Sequence, residues 1–331
     1  MTLTENKNLT ESDLRPQEQY KQWQDILRNE VDQLLANKVS LIEVDCPACQ
    51  NSKKEPVFIK FGLQYYSCDK CGTVYASPRP SANSLDNFYS NSKAVKFWKE
   101  QIVSATQGQR LQKSWKPLYN WVNQITKSYY TKPKKAADFK PKYNSLFSLF
   151  DNLGIEDVSL VDPLLVDLKK TDTAILLDEF DQKNDKFDII TAFDVLDREF
   201  SPLDFIKKIA DKLETGGLLF LTTNTISGFE YLILGENSTR LVPPDRLNLL
   251  SIEGLEDMLQ KNGYEILDIS TPGQLDIELV AKEYKQNPDM QMSSFMKYIL
   301  KHRGESVRRS LQSFLQLNNL SSYLRAVARK K

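Results

Sequence analysis

Apolar residues recur at three- and four-residue steps near the start of the chain, which predicts an amphipathic helix over residues 14–36. Pro16 stands near its start, where proline is tolerated. The apolar stripe consists of Tyr20, Trp23, Ile26, Leu27, Val31, Leu34 and Leu35. Because the opposite face mixes both signs of charge, we expect the stripe to pack on this protein rather than on a membrane. Residues 83–128 show the same periodicity and are predicted to be largely helical.

After residue 133 the pattern changes, and short strand-like segments alternate with helical ones. This alternation favours a mainly parallel sheet covered by helices on both faces. The candidate strands are residues 136–139, 158–161, 173–177, 187–192, 217–223 and 264–269. Between the fourth and the fifth of these candidate strands, Ser201 can cap a helix that has Pro202 in its first turn and Asp204 completing a capping box. We expect the apolar stripe of this helix to reach Leu213 and Gly216 to stop it.

All four cysteines lie in two C-x-x-C pairs with 18 residues between them, namely Cys46, Cys49, Cys68 and Cys71. This spacing is typical of a four-thiolate zinc site, because each C-x-x-C turn points two sulfur atoms at one position. Gly72 gives the backbone freedom after the second turn, and two strands around Gly62 are predicted to join the pairs. Four protein ligands leave no open position, so the zinc should be structural. Two disulfides or four unrelated thiols are the alternative, which this pairing disfavours in a cytosolic chain.

Length, charge and composition narrow the function classes. The chain has 331 residues, which suits two or three compact units. We expect an N-terminal helix in residues 1–40, a zinc knuckle in 41–80, a helical linker region in 81–132 and a sheet domain in 133–331. Basic and acidic residues number 44 each, which disfavours a general nucleic-acid or anionic-membrane binder. The first residues lack the features of a secretion signal and no apolar run approaches a membrane span, so we expect a soluble, cytoplasmic protein.

Three stretches together resemble class I S-adenosylmethionine (SAM)-dependent methyltransferases, specifically bacterial ones with an N-terminal zinc knuckle. Residues 187–198 (FDIITAFDVLDR) are similar to the fourth strand and the turn after it, and residues 213–223 (LETGGLLFLTT) to the fifth strand. Residues 246–276 supply the third stretch. The resemblance implies a Rossmann-like sheet of seven strands, mostly parallel, with residues 321–329 as the last, antiparallel strand. It also implies a helical insertion at about 275–318 and a sugar or glycan precursor as methyl acceptor.

The loop after the first strand departs from the family pattern. In the family this turn reads Asp-x-Gly-x-Gly-x-Gly, and the glycines let the backbone approach the methionine part of the cofactor. Aligned on Asp138, the glycine positions hold Lys140, Lys142 and Asn144. Two lysine side chains would stand in the place of the ligand unless the loop is rebuilt.

The resemblance and the strand ends together give candidate cofactor contacts, namely Asp138, Tyr143, Asp162, Asp178 and Phe193. Asp162 ends the second strand, where an acid can accept hydrogen bonds from ribose hydroxyls, although it can also form a turn before proline. Asp178 follows the third strand and could meet an adenine amino group or be a solvated loop acid. Phe193 leaves the carboxyl end of the fourth strand, where open α/β sheets bind ligands.

The candidates for a catalytic base are Asp194, Asp197 and Tyr89. They are considered because the single histidine, His302, falls in the inserted helices and is expected at the surface.

Three functions remain open. The first is an active SAM-dependent methyltransferase that transfers a methyl group mainly by positioning its substrates. The second is a degenerate relative that keeps the fold and the zinc but acts as a binding or scaffold protein, which the missing glycines motivate. The third is a zinc-ribbon protein that binds nucleic acid, which the few and diluted lysines of the knuckle disfavour.

Overall fold

The structure is a computed structural model. It describes residues 9–36, 41–129, 132–140, 153–155, 157–162, 174–175, 177–182 and 184–331.

The N-terminal region begins with two helices, Glu11–Leu14 and Gln17–Ala36. The second confirms the predicted amphipathic helix, and it buries Tyr20, Trp23, Leu27 and Val31. A further helical run lies over residues 82–129. Its segments are Ala82–Asn91, Lys93–Phe97, Trp98–Val103, Ser104–Arg110, Leu111–Trp115 and Lys116–Tyr129, of which Trp98–Val103 and Leu111–Trp115 are π-helical.

Small sheets surround the cysteines. Strand β1 (Leu41–Ile42) pairs with β5 (Arg79–Pro80). Strands β2 (Lys54–Lys60) and β3 (Leu63–Cys68) form the hairpin that was predicted between the two cysteine pairs, and β4 (Val74–Ala76) extends it.

The main sheet has seven strands in the order β12-β13-β10-β9-β6-β7-β8. Their bounds are β6 Lys135–Phe139, β7 Asp157–Val161, β8 Ala174–Ile175, β9 Phe187–Phe193, β10 Leu213–Asn224, β12 Tyr264–Ser270 and β13 Tyr323–Lys330. Strands β6 to β10 pair in parallel, and β13 runs antiparallel to both of its neighbours. The Rossmann-like fold with an antiparallel last strand is therefore confirmed.

A short strand, β11 (Asn248–Leu249), leaves the region of the main sheet and pairs with β4. The small sheet accordingly has the order β11-β4-β3-β2. In the chain, β11 lies between β10 and β12. The segment that joins these two strands of the main sheet therefore also supplies the edge strand of the small sheet.

Helices cover the main sheet and fill the insertion. They are Leu177–Gln182, Pro202–Lys212, Phe229–Leu234, Ile252–Lys261, Asp276–Gln286, Ser294–His302 and Glu305–Leu317. The last three lie in the segment where the helical insertion is predicted, and His302 at the end of one of them is exposed. None of the helices in the described ranges combines the length and the apolar character that a membrane crossing needs.

The end of the helix that Ser201 caps differs from the prediction. Ser201 accepts a hydrogen bond from the backbone N–H of Asp204, as expected, but the helix ends at Lys212. Leu213 is already extended and pairs with Phe187, so it belongs to β10. Gly216, at a φ of +82°, lies in an irregular stretch at the start of that strand rather than at the helix end.

Candidate functional site

The four cysteine sulfur atoms lie within 4.8 Å of one another. The Sγ atoms of Cys46 and Cys71 are 3.5 Å apart, and those of Cys49 and Cys68 are 3.6 Å apart. In a tetrahedron of thiolates about 2.3 Å from zinc, neighbouring sulfur atoms are about 3.8 Å apart. The four side chains therefore match the geometry of one tetrahedral metal ion, and none of them is in a disulfide.

Both C-x-x-C turns have the same backbone geometry. The N–H of Gln50 donates to the carbonyl of Cys46 at 2.8 Å, and the N–H of Gly72 donates to the carbonyl of Cys68 at 2.9 Å. Both donors have a positive φ, 59° for Gln50 and 74° for Gly72. Glycine adopts this conformation without a steric penalty, which is the freedom expected of Gly72. In the first turn Gln50 takes the same conformation.

The knuckle is fixed to the main sheet by buried polar contacts. The Ser251 hydroxyl donates to the carbonyl of Cys71. Arg79, which is fully buried, donates to the carbonyls of Ala76 at 2.8 Å and Phe200 at 3.1 Å and to the side-chain oxygen of Asn248 at 2.8 Å. Burial lowers the pKa of Arg79 to about 10. These contacts explain the arginine after the knuckle, for which the sequence alone offered no role.

A cavity of about 250 Å³ lies between the N-terminal helices and the carboxyl edge of the main sheet. Residues at the ends of β6, β9 and β10 and at the start of β13 line one side of it, namely Asp138, Phe193, Asp194, Asn224 and Tyr323. Aromatic residues line the other side, namely Tyr20, Trp23, Trp98 and Trp115. Trp98 and Trp115 come from the two π-helical segments, a feature that is frequent at functional sites. Ligands of open α/β sheets bind at this edge.

Asp138 is the most unusual side chain in the cavity. It is 1% exposed, and its Oδ1 accepts a hydrogen bond from the Thr191 hydroxyl at 2.7 Å. Its Oδ2 is buried and has no hydrogen-bond partner among the described residues. Burial raises the pKa of Asp138 to about 7, although the Thr191 hydrogen bond acts in the opposite direction. The cavity thus contains a carboxyl group that lacks a partner for its negative charge.

Phe193 and Asp194 lie beside Asp138 in the cavity wall. Asp194 has a φ of +55°, and its backbone carbonyl accepts hydrogen bonds from the Arg198 guanidinium at 3.0 and 3.2 Å. Its Oδ1 accepts from the Thr222 hydroxyl at 3.0 Å. The structure therefore brings together three of the predicted site residues: Asp138, Phe193 and Asp194.

Asp197, a candidate base, lies behind the cavity wall and is fully buried. Its carboxylate accepts hydrogen bonds from the Thr223 hydroxyl and from the backbone and side chain of Asn224, and it pairs with Arg246 at 3.2 Å. These contacts hold the end of β10 against the turn after β9.

Tyr89, the remaining candidate base, is also absent from the cavity wall. Burial raises its pKa well above 10, and the charge of Asp245 acts in the same direction. Its hydroxyl therefore keeps its proton at neutral pH. The Arg198 guanidinium lies over its ring, 6.0 Å from the centroid.

The predicted ribose contact, Asp162, stands at the end of β7 with a φ of +49°. It is 39% exposed, and its carboxylate is 4.0 Å from the Lys140 ammonium. Lys140 follows β6 with a φ of +47°, so a non-glycine residue adopts the left-handed conformation at the first glycine position of the family motif. Its ammonium turns to Glu199, 2.6 Å away, and its side chain does not line the cavity.

The structure describes the remaining predicted positions only in part or not at all. The backbone of Asp178 belongs to the helix Leu177–Gln182. Tyr143, Lys142 and Asn144 lie outside the described residues.

The sequence analysis missed the cations of the cavity. Arg15, Arg110, Arg198, Arg240, Arg246 and Arg325 all line it. They come from widely separated segments, so no local motif could have grouped them. Arg198, Arg246 and Arg325 fall in the family-like segments, but nothing in those patterns assigned them to a site.

Comparison with known proteins concerns the sheet-containing part of the chain. Residues 137–269 match a family model described as a methyltransferase domain. This part of the chain is therefore similar to methyltransferase domains. The strand order of the main sheet and its antiparallel last strand agree with this assignment. The search of curated proteins gave no match.

The methyltransferase domain is also similar to solved structures, at low identity. A putative sarcosine dimethylglycine methyltransferase from Galdieria sulphuraria is 12% identical, with 66% of this chain and 87% of that chain covered and a TM-score of 0.43. The plantazolicin methyltransferase BpumL, solved in complex with SAH, is 11% identical, with 75% and 94% covered and a TM-score of 0.45. A SAM-dependent methyltransferase from Archaeoglobus fulgidus is 13% identical, with 64% and 94% covered and a TM-score of 0.42. These values describe a distant likeness and carry no information on the substrate of this chain.

Proposed function

We propose that this protein is a SAM-dependent methyltransferase that binds its cofactor in the cavity at the carboxyl edge of the sheet. The family match over residues 137–269 supports this function. The observation that carries it is the buried Asp138 carboxyl group, whose Oδ2 has no partner among the described residues. A buried carboxylate is stable only beside a compensating charge or donor. SAM has an ammonium and a sulfonium group, so the residues present fit it at this position.

SAM supplies an electrophilic methyl group when it is bound, and the protein contributes mainly position. Asp138 binds the amino group of the cofactor, and Phe193 forms the wall beside it. The Arg198 guanidinium holds the carbonyl of Asp194 and so fixes the turn after β9. The aromatic side of the cavity excludes water, which strengthens each electrostatic contact inside. Holding the acceptor in line with the methyl group is the main catalytic contribution.

The ribose end of the cofactor site would require a rearrangement of one ion pair. The carboxylate of Asp162 faces the ammonium of Lys140 at 4.0 Å, while Lys140 pairs more closely with Glu199 at 2.6 Å. Because Lys140 has this second partner, Asp162 can turn to the ribose hydroxyls without leaving the ammonium unpaired. Asp162 is 39% exposed, so the ribose can approach it from solvent.

We propose further that the acceptor is a sugar or glycan precursor, as the sequence resemblance implies. The cavity lining supports this class because it combines flat aromatic faces with polar groups. Trp98 and Trp115 offer the faces, and Gln274 offers an amide that can bind hydroxyls. Ligand pockets of this kind use apolar walls for affinity and a few polar groups for orientation.

We propose that the four cysteines hold one structural zinc ion. The convergence of the sulfur atoms supports this, and four protein ligands leave no position open for a substrate. The metal would stabilise the hairpin and the contact of Cys71 with Ser251.

Isothermal titration calorimetry of SAM against the zinc-loaded full-length protein tests the proposed activity. At pH 7.5 we expect saturable binding and a loss of about 10- to 100-fold in affinity for Asp138→Asn, because a charge-assisted hydrogen bond contributes about 1.5–3 kcal/mol. Asp86→Asn removes an exposed aspartate and should leave the affinity unchanged. Absence of heat at millimolar SAM, with the protein folded, would refute the cofactor assignment and favour a binding or scaffold role.

A further inference from the structure

The cavity carries more positive than negative side chains. Its acidic residues are Asp138, Asp194 and Asp245, and its cations are the six arginines already named together with Lys113. Three of these cations are paired with acids: Lys113 with Asp13 at 2.7 Å, Arg240 with Glu230 at 2.8 Å and Arg246 with Asp197 at 3.2 Å.

Arg15 and Arg325 differ from the paired cations. In the described part of the chain, neither has a carboxylate within ion-pair distance. Each guanidinium lies over an aromatic ring instead: Arg15 over Tyr20, 5.5 Å from the centroid, and Arg325 over Trp121, also at 5.5 Å. Burial lowers the pKa of both, which is the effect expected of buried cations without a sufficient counter-charge.

Arg15 and Arg240 come together at one end of the cavity. The Tyr20 hydroxyl, on the ring below Arg15, donates to the carbonyl of Thr239 at 2.7 Å, and Thr239 precedes Arg240. The positive charge of Arg240 is accordingly one of the causes, after burial, that lower the pKa of Arg15. The Glu230 carboxylate lies 2.8 Å from Arg240, while for Arg15 the effect of burial outweighs the charges of Glu11 and Glu230, which act in the opposite direction on its pKa.

Both guanidiniums also have donors without acceptors. The Nη1 of Arg15 and the Nε of Arg240 are buried and have no hydrogen-bond partner among the described residues. Leaving a buried charged donor without an acceptor destabilises the protein more than leaving a neutral donor without one. An oxyanion can accept from two guanidiniums at once and would remove this cost.

We propose that Arg15 and Arg240 bind an oxyanion, a phosphate or carboxylate group, of the methyl acceptor. This inference rests on the proposed function for the identity of the ligand, but not for the existence of the site. The anion would anchor one end of the acceptor below the N-terminal helices and leave the other end near Asp138. Since Arg15 lies between the helices Glu11–Leu14 and Gln17–Ala36, the N-terminal region would contribute to acceptor selection.

The test is a titration of the zinc-loaded protein with inorganic phosphate and, separately, with malonate, both without SAM. Calorimetry at constant ionic strength, with chloride as the balancing anion, measures binding. We expect saturable binding of at least one of the two, and the tighter one identifies the preferred oxyanion. Arg15→Gln should weaken it about tenfold or more. Arg15→Lys should cause a smaller loss, because it keeps the charge but not the fork of donors.

Arg28→Gln is the matched control. Arg28 lies on the same helix region and stacks on Phe61 at 5.3 Å, as Arg15 stacks on Tyr20, but it is exposed and outside the cavity. The Arg28→Gln variant should bind the oxyanion as tightly as the wild type does. The site is refuted if neither anion binds above chloride, or if Arg15→Gln and Arg28→Gln behave alike. If Arg15→Gln fails to fold, Arg15→Lys against Arg28→Gln decides.

SAM is titrated into the same samples. SAM binding without oxyanion binding refutes this site and leaves the methyltransferase function standing. Oxyanion binding without SAM binding supports the site and removes that function. The two ideas can therefore fail separately.

Discussion

Asp138 should make the stability of the protein fall as the pH rises towards neutrality. Burial raises its pKa from an ordinary value of 3.8 to about 7. Between these two values the unfolded chain loses this proton while the folded protein keeps it. Ionisation therefore favours the unfolded state, and the free energy of unfolding decreases by about 1.4 kcal/mol per pH unit. Because the folded group is already half ionised at its own pKa, the decrease from pH 5 to pH 7 is about 2.3 kcal/mol, and it ends above the folded pKa.

Asp138→Asn isolates this effect because the amide does not titrate. The Thr191 hydroxyl, which donates to Oδ1 at 2.7 Å, can donate equally to an amide oxygen. The stability of the variant relative to the wild type should therefore increase by about 2.3 kcal/mol between pH 5 and pH 7. Other titrating groups contribute equally to both proteins and cancel in the difference.

Urea unfolding at pH 5, 6 and 7, without SAM and with zinc present, measures the difference. The free energy of unfolding must decrease with urea concentration at the same slope in the two proteins, so that the values extrapolated to water can be compared. The exposed Asp86→Asn variant should follow the wild type at every pH. A difference between Asp138→Asn and the wild type that stays constant with pH would show that Asp138 is ionised in the folded protein and would refute the reasoning.

Three further predictions concern the knuckle and the packing of the chain. Cys49→Ser should lose about one equivalent of zinc and lower the Tm by roughly 5–10 °C, which metal analysis and calorimetry can check; an unchanged zinc content would contradict a four-cysteine site. Gly228→Ala should cost at least about 3 kcal/mol in urea unfolding, because its Cβ would lie 2.2 Å from the Cα of Ser322, whereas Gly108→Ala, inside the helix Ser104–Arg110, meets nothing within 4 Å and should cause no loss. Arg79→Met should cost about 2–4 kcal/mol, since three buried acceptors lose their donor, and a loss below 1 kcal/mol would argue against that account.

Most of the fold could be predicted because its signals are local. The alternation of strands and helices after residue 133 gave the main sheet, and the C-x-x-C pairs gave the knuckle hairpin. The end of the helix at Lys212 was not predicted. Leu213 pairs with Phe187 in the sheet instead of continuing the helix, and the periodicity of the sequence carries no information on such long-range pairing. Strand β11 was missed for a similar reason: its two residues become a strand only because β4 offers an edge.

The sequence predicted only those cavity residues that lie at the carboxyl ends of strands. Asp138, Phe193 and Asp194 were found because parallel strands end at one edge. Asp197 stands three residues after Asp194 in the same turn, yet its side chain faces Asn224 and Arg246 rather than the cavity. Arg15 and Arg240 lie 225 positions apart, and only the folded chain brings their charges together.

The knuckle and the cavity are joined by hydrogen bonds rather than by mere proximity. The hydroxyl of Ser251 donates to the carbonyl of Cys71, one of the four cysteines, and Ser251 follows β11 closely in the chain. Within β11, the Asn248 backbone N–H donates to the carbonyl of Asp197 at 3.0 Å, and its side chain donates to two further carbonyls of the turn 194–199 at 2.8 and 2.9 Å. That turn carries cavity residues. A metal ion held by the four cysteines would therefore affect the chemistry of the cavity without contacting it, because it would fix the strand that holds the cavity wall in place.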